Sequence, residues 1–161
     1  MQWELITNII LISSFVVLAV FAVLGLVQWI SRKSLKKVDK QLLWMPLPLL
    51  LMAITYVVFD KFIILNVRPN GSGEPSFPST HVMVVATIFF VVALALPKYI
   101  KSKTARIVLE LFIAALIGLT CVGRVVSQMH WISDTIGALV FAFIFSEIYR
   151  QIIKKRKKSD E

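Results

Sequence analysis

The chain has 161 residues, of which 58% are hydrophobic, and its mean hydropathy is +0.81. Soluble globular domains are only about 45–50% apolar, so this composition excludes an ordinary soluble protein and indicates a single integral membrane domain. The one cysteine, Cys121, lies in an apolar run, which excludes a disulfide framework and a thiolate metal site.

Five long apolar runs predict five spanning helices. Each run is near the roughly 17 to 25 residues that cross a bilayer, and none shows the alternation of a membrane strand. The runs are Leu5–Ile30, Leu42–Phe59, His81–Leu96, Ile107–Val122 and Trp131–Ile153. The predicted fold is therefore all-α, a polytopic transmembrane helical bundle, with one domain over residues 1–153 and a basic cytoplasmic tail over residues 154–161.

Two of the runs carry further local signals. The first is too long for a cleaved secretory signal and begins beside Glu4 rather than a basic residue, so we expect a retained helix. Pro46 and Pro48 are expected to kink or shorten the second helix, because proline removes a backbone hydrogen-bond donor.

The basic residues predict how the bundle is oriented, because they accumulate in cytoplasmic loops. Fifteen of the 18 Lys and Arg residues follow the first run, separate the third from the fourth, or lie in the last turn of the fifth run or after it. This pattern places the N-terminus outside and the C-terminus in the cytoplasm. The net charge of +9 then reflects orientation and contact with anionic lipid, and it requires no nucleic-acid partner.

The opposite, extracytoplasmic face holds the remaining cations, Lys61, Arg68 and Arg124, and both histidines, His81 and His130. Cations on a face that the orientation rule leaves poor in them suggest a site for an anion. Taken singly, Lys61 and Arg124 at helix ends are better explained as side chains that extend to the lipid surface than as ligands. The spacing of the charged residues decides between these readings.

Three sequence pieces on that face occur in a characteristic order. They are Lys61, six residues and Arg68-Pro69; then Pro78-Ser79-Thr80-His81; then Arg124, five residues, His130, three residues and Asp134. In this order they resemble the signature of the type 2 phosphatidic acid phosphatases, the lipid phosphate phosphatase superfamily, which also includes the vanadium haloperoxidases. The resemblance implies a membrane phosphatase, commonly with six spanning helices where this chain has five apolar runs.

Two positions depart from the family pattern. Thr80 stands where the family usually has Gly, and Gly123 stands where it usually has Ser. A β-branched residue has less backbone freedom than Gly near the phosphate, and the missing serine hydroxyl removes one hydrogen-bond donor. We nevertheless expect an active site, with Ser79 or Ser127 supplying a hydroxyl.

The spacing of His130 and Asp134 suggests a nucleophile. Four residues apart at the start of a helix, the two side chains would share one face. Asp134 would then accept a hydrogen bond from Nδ1–H of His130, leaving Nε2 to attack phosphorus and form a phosphohistidine. Such a pair is also a common structural hydrogen bond, and only its position beside the cations favours catalysis.

His81 is the expected general acid, and later the general base, as the resemblance implies. Ser79 is expected to cap the helix that begins with Thr80, so that free backbone N–H groups and the helix dipole face the phosphate. Lys61, Arg68 and Arg124 would neutralise its oxygens. Two histidines and scattered acids form no credible metal site, so we predict neither a metal nor a cofactor. In the loop, Glu74 is expected to be a solvated acid, and Asp60 to pair with Lys61.

The predicted function is hydrolysis of a phosphomonoester or pyrophosphate of a membrane lipid at the extracytoplasmic side of a plasma or inner membrane. Undecaprenyl pyrophosphate is the first choice of substrate, followed by phosphatidylglycerophosphate and phosphatidic acid. Two alternatives stay open, namely a phosphotransferase that uses the same site and a transporter or lipid-binding protein without catalysis. The predicted partners are the lipid substrate and the bilayer, and the sequence indicates no particular protein partner.

Overall fold

The computed structural model describes residues 2–158, with side chains as far as residue 155. This described part contains six α-helices and one short 3-10 turn at Leu35–Lys37: α1 Gln2–Arg32, α2 Lys40–Trp44, α3 Pro46–Lys61, α4 Thr80–Tyr99, α5 Lys103–Val126 and α6 Ile132–Lys158. Over the described residues there is no β-strand, only an isolated bridge between Val67 and Pro75. The last residues of the predicted basic tail, 159–161, lie outside the described part.

The predicted all-α membrane architecture is confirmed. Five segments of the described chain are long and apolar enough to span a bilayer. Four of them contain a predicted run completely, and the fifth begins at Ile132, one residue after the start of its run. The second span consists of α2 and α3, which are separated at Met45. Pro46 is the first residue of α3, where its missing N–H is tolerated. The kink predicted from the prolines is therefore a break between two helices.

The central helix is α4, which contacts α1, α3, α5 and α6. In its most apolar window 67% of the residues are buried by protein, against 11% for α5. This explains why α4 is apolar on every side: its neighbours, rather than lipid, surround it. The core runs along α4 from Val82 to Leu96, and it includes Ile10 of α1 and Ile117 of α5.

The two ends of the helical bundle differ in chemistry. At one end lie the basic residues that follow α1, flank the link from α4 to α5, and end α6. Asp39 organises this basic end. Its carboxylate accepts hydrogen bonds from Gln28 Nε2 at 2.9 Å and Tyr99 Oη at 3.2 Å, and it pairs with Arg32 at 3.4 Å. Burial would raise the pKa of Asp39, but these partners and Lys98 lower it below the usual range.

The opposite end, formed by the starts of α1, α4 and α6, the end of α5, and residues 62–79, carries the candidate site. Here α1 approaches α5 very closely. A Cβ added at Gly123 would lie 2.6 Å from Thr7 Cγ2 and 3.3 Å from the Trp3 ring. Glycine at this position therefore allows α1 to pack against α5.

Candidate active site

A cavity of about 210 Å³ opens at this end of the bundle. Its walls come from α3, residues 68–78, the first turn of α4, the last turn of α5, and the turn before α6. Five of the residues predicted from the sequence line it: Arg68, Thr80, His81, Arg124 and His130. The helices and the loop thus bring residues from three separate parts of the sequence to one cavity.

The loop over residues 62–79 folds back on itself to reach this position. The Arg68 N–H donates to the Glu74 carbonyl at 3.0 Å, and the Ser76 N–H donates to the Asn66 carbonyl at 3.0 Å. Phe77 then lies on Gly137 of α6, where an added Cβ would come within 2.4 Å of its ring. Because Gly137 has no side chain, Phe77 can pack closely on α6, and the Ser76 carbonyl lies next to the turn that contains His130.

His130 is 5% exposed, and its Nδ1 lies 2.8 Å from the backbone oxygen of Ser76. Because a carbonyl oxygen can only accept, Nδ1 carries the hydrogen and Nε2 keeps the lone pair. Burial, and then the positive charge of Arg124, lower the pKa of His130 to about 4. The ring is therefore neutral at physiological pH, which is the state that a nitrogen nucleophile requires.

Asp134 does not make the hydrogen bond to His130 that the spacing predicted. Its Oδ2 lies 3.8 Å from His130 Nδ1 and accepts instead from the Trp131 N–H at 2.9 Å. Its Oδ1 accepts from Asn66 Nδ2 at 3.3 Å. The prediction was wrong because α6 begins at Ile132, so that His130 is not on the helix and the helical i, i+4 geometry does not apply. Asp134 is instead the acid that caps the start of α6.

The two arginines bring guanidinium groups to the cavity. Arg124 is 6% exposed, and neither its Nε nor the Nε of Arg68 has a hydrogen-bond partner among the described residues. Arg68 is paired with Glu74 at 2.6 Å, and Glu74 is exposed, as expected of a solvated loop acid. Buried donors without partners are costly unless something satisfies them. A phosphate group offers the required oxygen acceptors.

Two of the predicted phosphate ligands, Lys61 and Ser79, do not line the cavity. The Lys61 side chain is 69% exposed, pairs with Asp60 at 2.8 Å as expected, and lies outside the cavity lining. It ends α3, and the chain leaves the helix there. Ser79 occupies the predicted cap position before α4, but its fully buried hydroxyl makes no hydrogen bond within the described part of the chain. Its backbone N–H donates to the Asp134 carbonyl at 3.1 Å.

Sequence reasoning missed three residues at the site. Ser76 supplies the carbonyl for His130, Asn66 donates to Asp134, and Asn8 Oδ1 lies 2.9 Å from His81 Nε2. The role of Ser76 could not be predicted, because it depends on the backbone carbonyl, which every residue has. Asn8 did carry a signal in the sequence, because an amide within an apolar spanning run is unusual and tends to be functional.

The sequence pattern of the PAP2 superfamily matches residues 17–158, which is most of the chain. The chain belongs to the PAP2 superfamily. A transmembrane PAP2 type phosphatidylglycerolphosphate phosphatase from Bacillus subtilis has a similar fold in its crystal structure, with a TM-score of 0.74 and 20% sequence identity. The similarity covers 96% of this chain and 77% of that protein. No curated protein matches the chain in sequence.

Both departures from the PAP2 superfamily pattern have a structural explanation. Thr80 is the first residue of α4, where the backbone is helical and the freedom of glycine is not required. Gly123 lies under α1, and a serine there would collide with the Thr7 methyl group. In this PAP2 chain, α1 occupies the space that a serine side chain at position 123 would need.

Proposed function

We propose that this PAP2 protein is an integral-membrane lipid phosphatase that hydrolyses a phosphomonoester or pyrophosphate of a membrane lipid. One observation carries the proposal. Two histidines and two arginines converge on one cavity, and each guanidinium has a buried Nε without a partner among the described residues. Membership of the PAP2 superfamily and the fold shared with a phosphatidylglycerolphosphate phosphatase support it.

In the first step, Nε2 of His130 attacks phosphorus and the bond from phosphorus to the leaving oxygen breaks. His81, protonated beside the phosphate anion, donates its proton to that oxygen. Arg68 and Arg124 hold the phosphoryl oxygens, on which negative charge is spread in the transition state. The product of this step is a phosphohistidine and a free lipid alcohol or lipid monophosphate.

In the second step, water attacks the phosphohistidine and gives its proton to His81. The bond between phosphorus and Nε2 breaks, and its electron pair returns to the ring of His130. The Ser76 carbonyl keeps the proton on Nδ1 throughout, and the nearby Asp134 carboxylate stabilises the positive charge that develops on the ring. The arginines neutralise the phosphate, so the reaction requires no metal ion.

The cavity is smaller than the roughly 300–1,000 Å³ of pockets that enclose whole drug-sized ligands. With a volume of about 210 Å³, it takes a headgroup and leaves the tails in the bilayer. Undecaprenyl pyrophosphate remains the first choice of substrate. The similar fold of the Bacillus subtilis enzyme makes phosphatidylglycerophosphate the principal alternative, ahead of phosphatidic acid. We place the site at the extracytoplasmic surface of a plasma or inner membrane.

Phosphate release from these three lipids by detergent-purified protein, with EDTA present, tests the proposal. The matched variant is His130→Asn, whose amide can still donate to the Ser76 carbonyl but cannot attack phosphorus. We expect release from at least one lipid by the wild type and a loss of at least about 10³-fold in kcat in the variant. Equal release by both proteins would refute the role of His130. Phosphate retained on an acceptor lipid would identify a phosphotransferase instead.

A further inference from the structure

The first helix contributes a side chain to the site. Asn8 lies on α1, two turns from its start, and its Oδ1 is 2.9 Å from Nε2 of His81 on α4. The segment that matches the PAP2 superfamily begins at residue 17, so Asn8 is not part of the family pattern. It is a polar residue between Thr7 and Ile9 in a helix that is otherwise mostly apolar.

The atoms in this contact define the state of the His81 ring. An amide oxygen only accepts hydrogen bonds, so Nε2 of His81 must carry a hydrogen and donate it to Asn8. Nδ1 is then the nitrogen that gains and loses a proton during the reaction. We propose that Asn8 is the positioning residue for His81, and that it holds the ring in the Nε2–H form so that Nδ1 exchanges the proton with the leaving oxygen and the attacking water.

The charges around His81 explain why an amide serves better than a carboxylate. Arg124, Arg68 and His130 all face the ring, and Glu4, also on α1, faces Arg124. The proposed reaction needs His81 to alternate between its protonated and neutral forms. A carboxylate at position 8 would stabilise the protonated form and hinder the first step, in which His81 gives up its proton, whereas a neutral amide orients the ring without that bias. This inference rests on the proposed phosphatase activity.

The kinetic test compares Asn8→Ala, Asn8→Asp and the control Ser13→Ala with the wild type. The Ser13 hydroxyl bonds only to the Ile10 carbonyl of its own helix among the described groups. We expect Asn8→Ala to lower kcat about tenfold or more, as loss of an outer partner of a functional histidine does, with KM little changed. Asn8→Asp keeps the acceptor, and the alkaline limb of its kcat profile should move up by about one pH unit. Ser13→Ala should behave as the wild type.

The second test does not depend on activity. The chain has only two histidines, so ¹⁵N-histidine labelling gives two ring signals, which His130→Asn assigns. We expect His81 to show the Nε2–H tautomer in the wild type and in Ser13→Ala, and a mixture of tautomers in Asn8→Ala. An unchanged kcat in Asn8→Ala, or an unchanged His81 tautomer, would overturn the role of Asn8. Failure of the wild type to release phosphate would refute the phosphatase instead, and the His81 signals would still decide whether Asn8 orients the ring.

Discussion

His130 illustrates how one buried side chain is prepared by its backbone neighbours. The Ser76 carbonyl orients the ring and fixes the tautomer, while burial and then the charge of Arg124 keep the ring neutral by lowering its pKa. A neutral imidazole with a free Nε2 can attack an anionic phosphate without first losing a proton. The burial that would leave His130 available as the proposed nucleophile also makes its protonation unfavourable in the folded protein.

This unfavourable protonation predicts a pH-dependent stability. The folded pKa of His130 is about 4, below the value of about 6.5 for an unfolded chain. Between these values the unfolded chain binds a proton that the folded protein excludes. The free energy of unfolding should therefore fall as pH decreases through this window, by up to about 1.4 kcal/mol per unit from this group. Denaturation in detergent at several pH values measures it.

The control for this prediction is His130→Asn, which removes the titrating group and keeps a donor for Ser76. Its free energy of unfolding should change less between about pH 6.5 and 4 than that of the wild type. Equal pH slopes for the two proteins would show that His130 does not titrate with a lowered pKa.

Asp134 provides a second prediction at the level of one residue. Because the Ser76 carbonyl already fixes the tautomer of His130, Asp134→Asn should leave the tautomer intact and remove a charge 3.8 Å away. It also removes one of the two oxygens that accept from the Trp131 N–H and from Asn66 Nδ2, because an amide has a single oxygen. At that distance a charge contributes between about 1 and 4 kcal/mol, depending on the local dielectric. We expect kcat to fall by roughly 10- to 1,000-fold, less than in His130→Asn. A loss as large as that of His130→Asn would contradict this role.

The elements are arranged so that α1 closes one side of the site. Gly123 allows its close approach to α5, and Asn8 reaches His81 from the same helix. On the other side, Gly137 of α6 accommodates Phe77 and so positions the loop. Two glycines on neighbouring helices thus determine how closely the helix and the loop approach the cavity.

Gly123→Ala tests the packing of α1. The new methyl group would overlap Thr7 Cγ2, and overpacking of this kind typically costs about 1–3 kcal/mol. We expect a lower free energy of unfolding in detergent, together with reduced phosphatase activity because Asn8 moves with α1. Thr7→Ser removes the methyl group that would clash and keeps the hydroxyl, which donates to the Glu4 carbonyl.

The double variant Thr7→Ser/Gly123→Ala should recover much of the lost stability, since the two changes compensate in volume. The loss of unfolding free energy in the double variant is therefore expected to be smaller than the sum of the losses in the two single variants. Strict additivity of the two changes would show that Thr7 and position 123 do not press on each other.

The whole molecule is polarised along its length. One end is basic and is tied together by Asp39, and the other holds the cavity. Basic residues remain on the cytoplasmic side during insertion, so this polarity should place the cavity at the extracytoplasmic surface. A headgroup in the outer leaflet can then reach the arginines while its tails stay in lipid.

Single cysteines test this orientation in a Cys121→Ala background. Ser72 lies in the exposed loop at the cavity end, and Lys101 lies in the exposed link between α4 and α5. In intact cells, a membrane-impermeant maleimide should label Ser72→Cys and should label Lys101→Cys only after permeabilisation. The opposite labelling pattern would overturn the orientation.

Much of the fold was predictable because each spanning helix is a local property of the chain. The five apolar runs, the break at the prolines and the gathering of Arg68, His81, Arg124 and His130 at one end all follow from composition and order. In lipid a long apolar run has few alternatives to a helix, and five helices in alternating directions bring the same loops to the same surface.

The contacts within the site were decided by the tertiary structure. The bonds of His130 to Ser76, of Asn66 to Asp134 and of His81 to Asn8 join residues 54, 68 and 73 positions apart. Hydrogen bonds act over about 3 Å, so each depends on where a helix begins and how closely two helices pack. The sequence by itself determined which chemical groups meet at this surface. Packing of the helices and the loop decided which of those groups touch.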